Sequence, residues 1–241
     1  EILSIDMDFL HEGYPKKILK SKKFLPKKIK SNSKKIINFK NALLRMLSSP
    51  NICSKEFISS QYDHEVQGTS IIKPLQGKGK VFSDCTAIKP LFDSKRSIVI
   101  SQGIYPNYSN LDAYSMAACS IDTAIRNLIV TGCNLSNIAL LDNFCWCSPE
   151  EPEKIYQLKE ALRACYDLST NFSTPFISGK DSMYNDFNGY NKRNRKIKIS
   201  IPPTLLISSI GIIENYNNLL SIVPKEQGDL IYIIGKTGSE M

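Results

Sequence analysis

The sequence has few histidines, a single tryptophan and no long apolar run. Only two of its 241 residues are histidine, which leaves little material for a histidine-based metal centre. A membrane-spanning helix needs about 18 consecutive apolar residues, and no run approaches that length. The seven cysteines lack Cys-x-x-Cys spacing, which argues against zinc-ribbon and dithiol redox motifs. We therefore expect a cytoplasmic protein in a reducing setting, with no membrane partner. The thiols of Cys145 and Cys147 are expected to be buried packing groups.

Acidic residues are missing from one segment of the chain. Residues 15–40 contain 11 lysines and no Asp or Glu, so the net charge of +8 has a local origin. Such a segment is typical of a solvated connector. A polyanion-binding arm is the alternative, but we expect no nucleic-acid partner. A secretory leader pattern is also missing and the first residue is Glu, which favours a piece of a longer protein.

The apolar content of 42% is enough for a substantial core. Alternating apolar positions in residues 1–13 predict a half-buried strand. We expect residues 1–14 to be the tail of a preceding domain, and residues 15–50 to be the lysine-rich connector. Residues 51–203 are expected to form an α/β domain of an ATP-binding type, and residues 204–241 to begin a second, truncated α/β domain.

Within this organisation, apolar periodicity distinguishes helices from strands. It predicts helices over residues 39–47, 112–131 and 148–170. The second helix is expected to stop at Gly132, and the third to begin with a capping box over Ser148 to Glu151 with proline at its first position. Apolar runs predict further strands at residues 97–102, 137–141, 175–178, 204–213 and 228–235. This order predicts an α/β (α+β) sandwich with an open sheet.

Two apolar stretches stop abruptly at polar residues. They are Leu141-Asp-Asn-Phe-Cys-Trp146 and Thr174-Pro-Phe-Ile-Ser-Gly-Lys-Asp-Ser182. Strands that end in this way deliver polar side chains to the edge of a sheet, where ligands of α/β proteins bind. The pattern indicates a functional site at that edge.

Three oxygen-bearing side chains near the ends of predicted elements are candidate magnesium ligands: Asp84, Asn127 and Asp142. Mg²⁺ prefers oxygen ligands and usually joins one or two carboxylates to substrate phosphates. Each residue also has a structural alternative, as a turn residue, a polar helix position and a cap respectively.

Positive charge for phosphate binding is available from Lys55 and Lys180, and Ser182 follows Lys180 in the same polar stretch. A solvated surface lysine is the alternative for each. The Gly-Lys pairs at residues 179–180 and 235–236 lack the earlier glycine that a P-loop requires. Any nucleotide is therefore expected to bind by another design.

The catalytic residues stay undetermined. His64 is a candidate general base or phosphate donor, oriented by Asp63. A structural histidine among acidic neighbours is the alternative.

Four segments together resemble phosphoribosylformylglycinamidine synthase, a glutamine-dependent amidotransferase family. They are Tyr62-Asp-His-Glu-Val-Gln-Gly68, Leu141-Asp-Asn-Phe-Cys-Trp146, Thr174-Pro-Phe-Ile-Ser-Gly-Lys-Asp-Ser182 and Ile201-Pro-Pro-Thr-Leu-Leu-Ile207. Aminoimidazole ribonucleotide synthetase and selenophosphate synthetase share the fold, but they match the Leu-Asp-Asn-Phe-Cys-Trp segment and the upstream strand before the lysine-rich connector less well. The resemblance implies a domain like the N-terminal domain of aminoimidazole ribonucleotide synthetase, followed by the start of the C-terminal-type domain.

The resemblance also implies an activity. The family converts formylglycinamide ribonucleotide to formylglycinamidine ribonucleotide in purine biosynthesis, with ATP, Mg²⁺ and ammonia from glutamine. The implied partners are the remaining half of the same synthetase and a glutaminase subunit or domain. Lys55 matches a nucleotide-contacting lysine, and Asp84 and Asn127 match magnesium ligands of a site that is auxiliary in long forms of the enzyme.

One position departs from the family pattern. The family usually has glutamate one helical turn before the asparagine, where this chain has Thr123, a poor Mg²⁺ ligand. Asp122 is adjacent but lies about 100° away around the helix. Two hypotheses follow: part of an ATP-dependent ligase that is inactive as a fragment, or a non-catalytic nucleotide-binding or scaffold module of the same fold.

Overall fold

The computed structural model describes residues 2–13, 16–26, 38–61 and 65–236. Five α-helices lie within these ranges: α1 (Met7–His11), α2 (Phe39–Leu47), α3 (Glu56–Ser59), α4 (Ala113–Thr131) and α5 (Pro152–Phe172). Ten strands accompany them: β1 (Ser70–Ile72), β2 (Leu75–Gln76), β3 (Val81–Phe82), β4 (Cys85–Ile88), β5 (Ser97–Ile104), β6 (Ile138–Cys145), β7 (Phe176–Ser182), β8 (Asp186–Tyr190), β9 (Lys196–Ser200) and β10 (Thr204–Ile213).

Six of these strands form the main sheet, in the order β1-β4-β5-β10-β6-β7. All neighbours are antiparallel except β6 and β7, which run parallel and are connected through α5. The pairs β2-β3 and β8-β9 form separate two-stranded sheets. The start of β4 and the ends of β5, β6 and β7 therefore lie at the same end of the strands. We call this end of the main sheet the sheet edge.

The two long helices, α4 and α5, cover one face of this sheet. In α4 the buried apolar side chains recur at helical spacing and pack against strand residues such as Val99, Leu140 and Leu205. Two buried serines add hydrogen bonds between layers: Ser209 of β10 donates to the carbonyl of Ala124 at 2.8 Å, and Ser120 donates to that of Leu205 at 3.2 Å. The predicted α/β sandwich with an open sheet is confirmed.

Helix α4 begins and ends as its sequence predicts. Asp112 caps it by accepting a hydrogen bond from the backbone amide of Ser115 at 2.7 Å. Gly132 ends it with φ of 112°, a left-handed conformation that glycine adopts without a steric penalty. Helix α2 and strand β10 also have their predicted bounds.

Other local predictions were wrong. Residues 1–13 were expected to contain a strand, but Met7–His11 is a helix capped by Asp6, with no buried residue. Helix α5 begins at Pro152 with Glu151 as its N-cap, so Ser148 does not cap its first turn. Residues 228–235 are exposed and form no strand. Alternating apolar residues favour a strand only when a neighbouring strand and a core are present.

The predicted domain boundary between residues 203 and 204 also needs correction. Strand β10 pairs with β5 on one side and β6 on the other, and its side chains Leu205 and Ile207 are fully buried. It is a central strand of the α/β domain that was expected over residues 51–203, which we call the first domain, and not the beginning of a second one. No helix within the described residues is both long and apolar enough to cross a membrane.

Candidate functional site

A polar cavity of about 370 Å³ opens where β4 begins and β5 ends. Among its lining residues are both predicted magnesium ligands of this region, Asp84 and Asn127. Other polar lining residues come from the neighbouring strands and the preceding loop: Ser83, Thr86, Ser101 and Gln102. Sequence reasoning missed Gln102, although alternation along β5 places it on the opposite face from the buried Ser101.

The backbone of Asp84 is held in place by two side chains. Its carbonyl oxygen accepts hydrogen bonds from the amide of Asn127, at 3.1 Å, and from the hydroxyl of Ser101, at 3.0 Å. Asn127 is on α4 and Ser101 on β5, so a helix and a strand of the packed domain fix the start of β4. Asn127 uses its amide nitrogen here, which leaves its amide oxygen as an available acceptor.

This arrangement fits a magnesium ion that arrives with a nucleotide. Asp84 supplies one carboxylate and Asn127 one amide oxygen, and Mg²⁺ commonly uses one or two protein carboxylates together with phosphates and water. The part of the chain that the structure describes contains no group of three or more His, Cys, Asp or Glu residues placed to hold a metal. A metal bound by protein side chains alone is therefore not supported.

The structure also shows what occupies the position one turn before Asn127. The hydroxyls of Thr123 and Tyr105 lie 2.9 Å apart. Asp122 points elsewhere and forms an ion pair with Arg126, with contacts of 2.8 to 3.1 Å. A second carboxylate is therefore not supplied from this turn of α4.

The third predicted magnesium ligand, Asp142, lies away from the other two. It is on β6, which β5 and β10 separate from β4, a lateral distance of three strand spacings or roughly 14 Å. The structure therefore does not bring Asp142 into the cavity of Asp84 and Asn127, which corrects the grouping of these three residues.

Asp142 instead lies over the neighbouring strand β7. Its register partner is Gly179, and a Cβ atom built on that glycine would lie 1.6 Å from Asp142 Oδ1. Burial, and then the nearby carboxylate of Asp181, raise the pKa of Asp142. The glycine of the Gly-Lys-Asp-Ser segment is thus needed for close packing of a carboxylate and not for a phosphate loop.

Lys180 and Ser182 lie on β7 opposite Asn143 and Cys145 of β6. They share the sheet edge with Asp84 but are four strand spacings away, roughly 19 Å. The candidate phosphate-binding residues and the candidate metal ligands therefore occupy two separate places along one edge.

Two further candidates are not brought to either place. The ammonium group of Lys55 binds within its own loop, where it donates to the carbonyls of Pro50 and Cys53, the latter at 3.0 Å. His64 and its neighbour Asp63 lie outside the described residues. The seven cysteines are all free. Cys147 is buried, as expected for a packing group, whereas Cys145 is only partly buried.

Fold and cavity together define a mixed-sheet α/β domain with two covering helices and a polar cavity at one sheet edge. Residues 82–213 match the family described as AIR synthase related protein, N-terminal domain. The chain belongs to this family. The match ends at the last residue of β10, in agreement with the placement of that strand in the first domain.

Curated relatives share the similarity over most of this chain. The phosphoribosylformylglycinamidine synthase subunit PurL of Thermococcus sibiricus is 34% identical over 205 residues, which is 85% of this chain and 26% of the relative. The subunit of the same name from Thermoplasma volcanium is 29% identical, over 98% of this chain and 30% of the relative. The chain thus spans somewhat more than a quarter of the length of these relatives, and the resemblance seen in its four segments is confirmed.

Solved structures agree on the fold. A structure of PurLQS from Thermotoga maritima matches 85% of this chain with a TM-score of 0.56 and 16% identity, and the match is 29% of that chain. PurL of the same organism complexed with ADP matches 83% of this chain, and 28% of its own, with a TM-score of 0.51 and 16% identity.

Proposed function

We propose that this chain is the central part of a PurL-type synthetase. The reaction is the ATP-dependent conversion of formylglycinamide ribonucleotide to formylglycinamidine ribonucleotide in purine biosynthesis, with ammonia derived from glutamine. The observation that supports this proposal most strongly is the similarity to PurL subunits over 85% of the chain. The expected partners are the remaining half of the synthetase and a glutaminase subunit or domain, in the cytoplasm.

The chemistry has two steps. The amide oxygen of the substrate attacks the γ-phosphorus of ATP, which releases ADP and forms an iminophosphate. Ammonia then adds to the carbon of the former amide, the C–O bond to phosphate breaks, and inorganic phosphate leaves with loss of a proton from nitrogen, which gives the amidine. Both steps depend on positioning and on neutralising phosphate charge, as in other phosphoryl transfers.

The residues of this chain would bind nucleotide phosphates rather than transfer protons. Asp84 and Asn127 would hold a magnesium ion, which supplies positive charge beside the phosphates. Lys180 and Ser182 would bind a phosphate group further along the edge, by a charged and a neutral donor respectively. Because these two places are roughly 19 Å apart, they would bind different phosphate groups. As the family resemblance implies, the nucleotide at the cavity would be auxiliary and would not react, and catalysis would be completed by the other half of the synthetase.

Calorimetric titration of the chain with ADP, with and without Mg²⁺, tests the nucleotide site. We expect magnesium-dependent binding that Asp84→Ala weakens at least about tenfold, since it removes the only carboxylate among the described residues that line the cavity. Asp93→Ala, at an exposed position before β5, is the matched control. Asp142→Ala should bind ADP as the parent does because it lies in another part of the edge. Equal binding by the Asp84→Ala variant would contradict the proposed metal site.

The alternative function is a non-catalytic nucleotide-binding or scaffold module, and the Tyr105–Thr123 pair favours it because this turn of α4 supplies no second metal-binding carboxylate. The whole synthetase carrying Asp84→Ala separates the two functions. A loss of product formation with the protein still folded supports a nucleotide site that the reaction requires. Unchanged product formation, together with weakened ADP binding, supports the scaffold function.

A further inference from the structure

Three glutamates precede or begin helix α5: Glu150, Glu151 and Glu153. We call them the acidic ledge. Each is about half exposed, with 45 to 55% of its side chain accessible. Their place at a helix N-terminus is favourable for negative charge. Each also forms an ion pair with a lysine from a distant part of the chain.

Two of these lysines belong to the lysine-rich connector. Lys17 pairs with Glu150, and the ammonium group of Lys22 lies 3.8 Å from a carboxylate oxygen of Glu153. The third ledge residue, Glu151, pairs with Lys198 of β9. The basic connector and the acidic ledge are therefore complementary in charge and in contact.

Contacts other than ion pairs fix the register of the connector on the ledge. The backbone amide of Lys22 donates to the carbonyl of Pro152, the first residue of α5, at 2.9 Å. The ammonium group of Lys154 lies 5.9 Å from the ring centre of Phe24, within range of a cation–π contact. We call residues 17–24 the strap.

The strap has no apolar core of its own. Among residues 16–26, Phe24 alone is half-buried and the others are exposed. Exposed ion pairs are individually weak and are screened by salt. Docking of the strap is therefore expected to be reversible and sensitive to ionic strength.

The acidic ledge is in turn bonded to the ends of β6 and β7. The hydroxyl of Tyr184, just after β7, donates to the Glu150 carboxylate at 3.4 Å. The backbone amide of Trp146 donates to the carbonyl of Ser182 at 2.8 Å, and that of Asn185 to the carbonyl of Trp146 at 2.9 Å. The first bond joins the ledge to the polar stretch that follows Lys180, and the other two join the loop between β6 and α5 to the end of β7.

We propose that the strap is a salt-sensitive clamp formed by the lysine-rich connector. Residues 17–24 dock on the acidic ledge, and this docking holds the loop between β6 and α5 together with the end of β7. The connector thus has a defined binding place on the domain that follows it.

Hydrogen exchange of the whole chain, followed by mass spectrometry, tests the docking. In Glu150→Gln/Glu153→Gln the carboxylates are replaced by amides of the same shape, and we expect exchange at the Lys22 amide to be about three- to tenfold faster. Raising the salt from about 0.05 M to about 0.5 M should bring the parent close to the variant. The control is Glu214→Gln, which removes an exposed ion pair with Arg96 elsewhere and should leave this exchange unchanged.

A charge exchange distinguishes a direct pair from a general effect. Lys17→Glu alone should speed exchange of the Lys22 amide, and Lys17→Glu/Glu150→Lys should restore it towards the parent rate. Exchange that is unaffected by the neutralised ledge, or not restored by the exchanged pair, overturns the docking.

The single tryptophan reports on the second half of the proposal. Trp146 is fully buried, and its indole donates to the carbonyl of Lys154 at 3.0 Å, next to the ledge. We expect its emission to shift to longer wavelength in the ledge variant and in parent protein at high salt. Unchanged emission alongside faster exchange at Lys22 would show that the strap docks without holding the loop, and would overturn that part.

Discussion

The hydroxyl groups of Tyr105 and Thr123 lie 2.9 Å apart, one helical turn from the asparagine that lines the polar cavity. This bond ties the residue after β5 to the middle of α4. Thr123 stands at the α4 position from which a longer acidic side chain would approach Asn127. If the cavity binds nucleotide with magnesium as proposed, the magnesium dependence of that binding should respond to changes at these two residues.

Thr123→Glu combined with Tyr105→Phe adds a carboxylate one turn before Asn127 and removes the hydroxyl that competes for the space. If the cavity binds nucleotide as proposed, Mg²⁺ should strengthen ADP binding by about tenfold more than in the parent, because a second carboxylate joins the metal site. Calorimetry at several Mg²⁺ concentrations measures this. Thr123→Val/Tyr105→Phe removes the hydroxyl pair without adding charge and should show no gain. A gain of equal size in both variants would contradict the explanation.

Gly179→Ala should destabilise the domain by about 1–3 kcal/mol, since the new methyl group would overlap the Asp142 carboxylate. Urea unfolding measures the change. Adding Asp142→Ala in the same chain should recover part of the loss, because it vacates the space. Gly79→Ala, whose methyl group would meet Val81 at an ordinary 3.5 Å, is the control and should unfold as the parent does.

Asp142→Asn should raise the free energy of unfolding at pH 7. Burial and Asp181 raise the pKa of Asp142 above its ordinary value of 3.8, so the folded state holds this proton more tightly than the unfolded state. The charged carboxylate consequently costs stability at neutral pH, and the cost disappears as the pH falls towards 3.8. Unfolding of the parent and of the Asp142→Asn variant, measured at about pH 7, 5 and 4, should show the advantage of the variant shrinking. An advantage independent of pH would point to packing instead.

Cys133 should make the domain sensitive to alkali. Burial, and then its neighbour Cys85, raise the pKa of the Cys133 thiol from 9.0 to about 11. Between these values the unfolded chain loses the proton first. The contribution of this thiol to the free energy of unfolding is therefore fully present below pH 9 and is lost as the pH rises towards 11.

Comparing Cys133→Ala with the parent at about pH 8 and pH 10.5 isolates this contribution. The parent should lose more stability than the variant over that interval. Leu128 is fully buried and does not ionise. Leu128→Ala should therefore be less stable than the parent at both pH values, and it should lose as much stability as the parent between about pH 8 and about pH 10.5. A parallel loss in the parent and Cys133→Ala would contradict the prediction.

The sequence predicted the parts of the fold that depend on local chemistry. Asp112, the apolar stripe and Gly132 define α4 from signals within one segment, and β10 is a continuous apolar run. Pairing partners do not follow from such signals, which explains why β10 was assigned to a second domain although it lies between β5 and β6. Likewise, nothing local to residues 7–11 shows that no neighbouring strand is available to pair with them.

The candidate site was predicted in its residue types but not in its grouping. Asp84 and Asn127 meet because α4 crosses the start of β4, whereas Asp142 is on a strand that two others separate from it. Strand order decides such distances, and it is set by contacts between distant parts of the chain. Gln102 and the Tyr105–Thr123 bond were missed for the same reason.

Strand β10 has a consequence for how the protein is made. On a ribosome, β5 and β6 leave the exit tunnel well before the strand that belongs between them. Until residues 204–213 emerge, each therefore lacks a hydrogen-bonded neighbour along one side. Unpaired edges with apolar neighbours attract other chains. Premature termination just before β10, or proteolysis there, would leave two half-sheets with nothing to join them, and the released product would be prone to aggregate rather than to persist as a smaller folded domain.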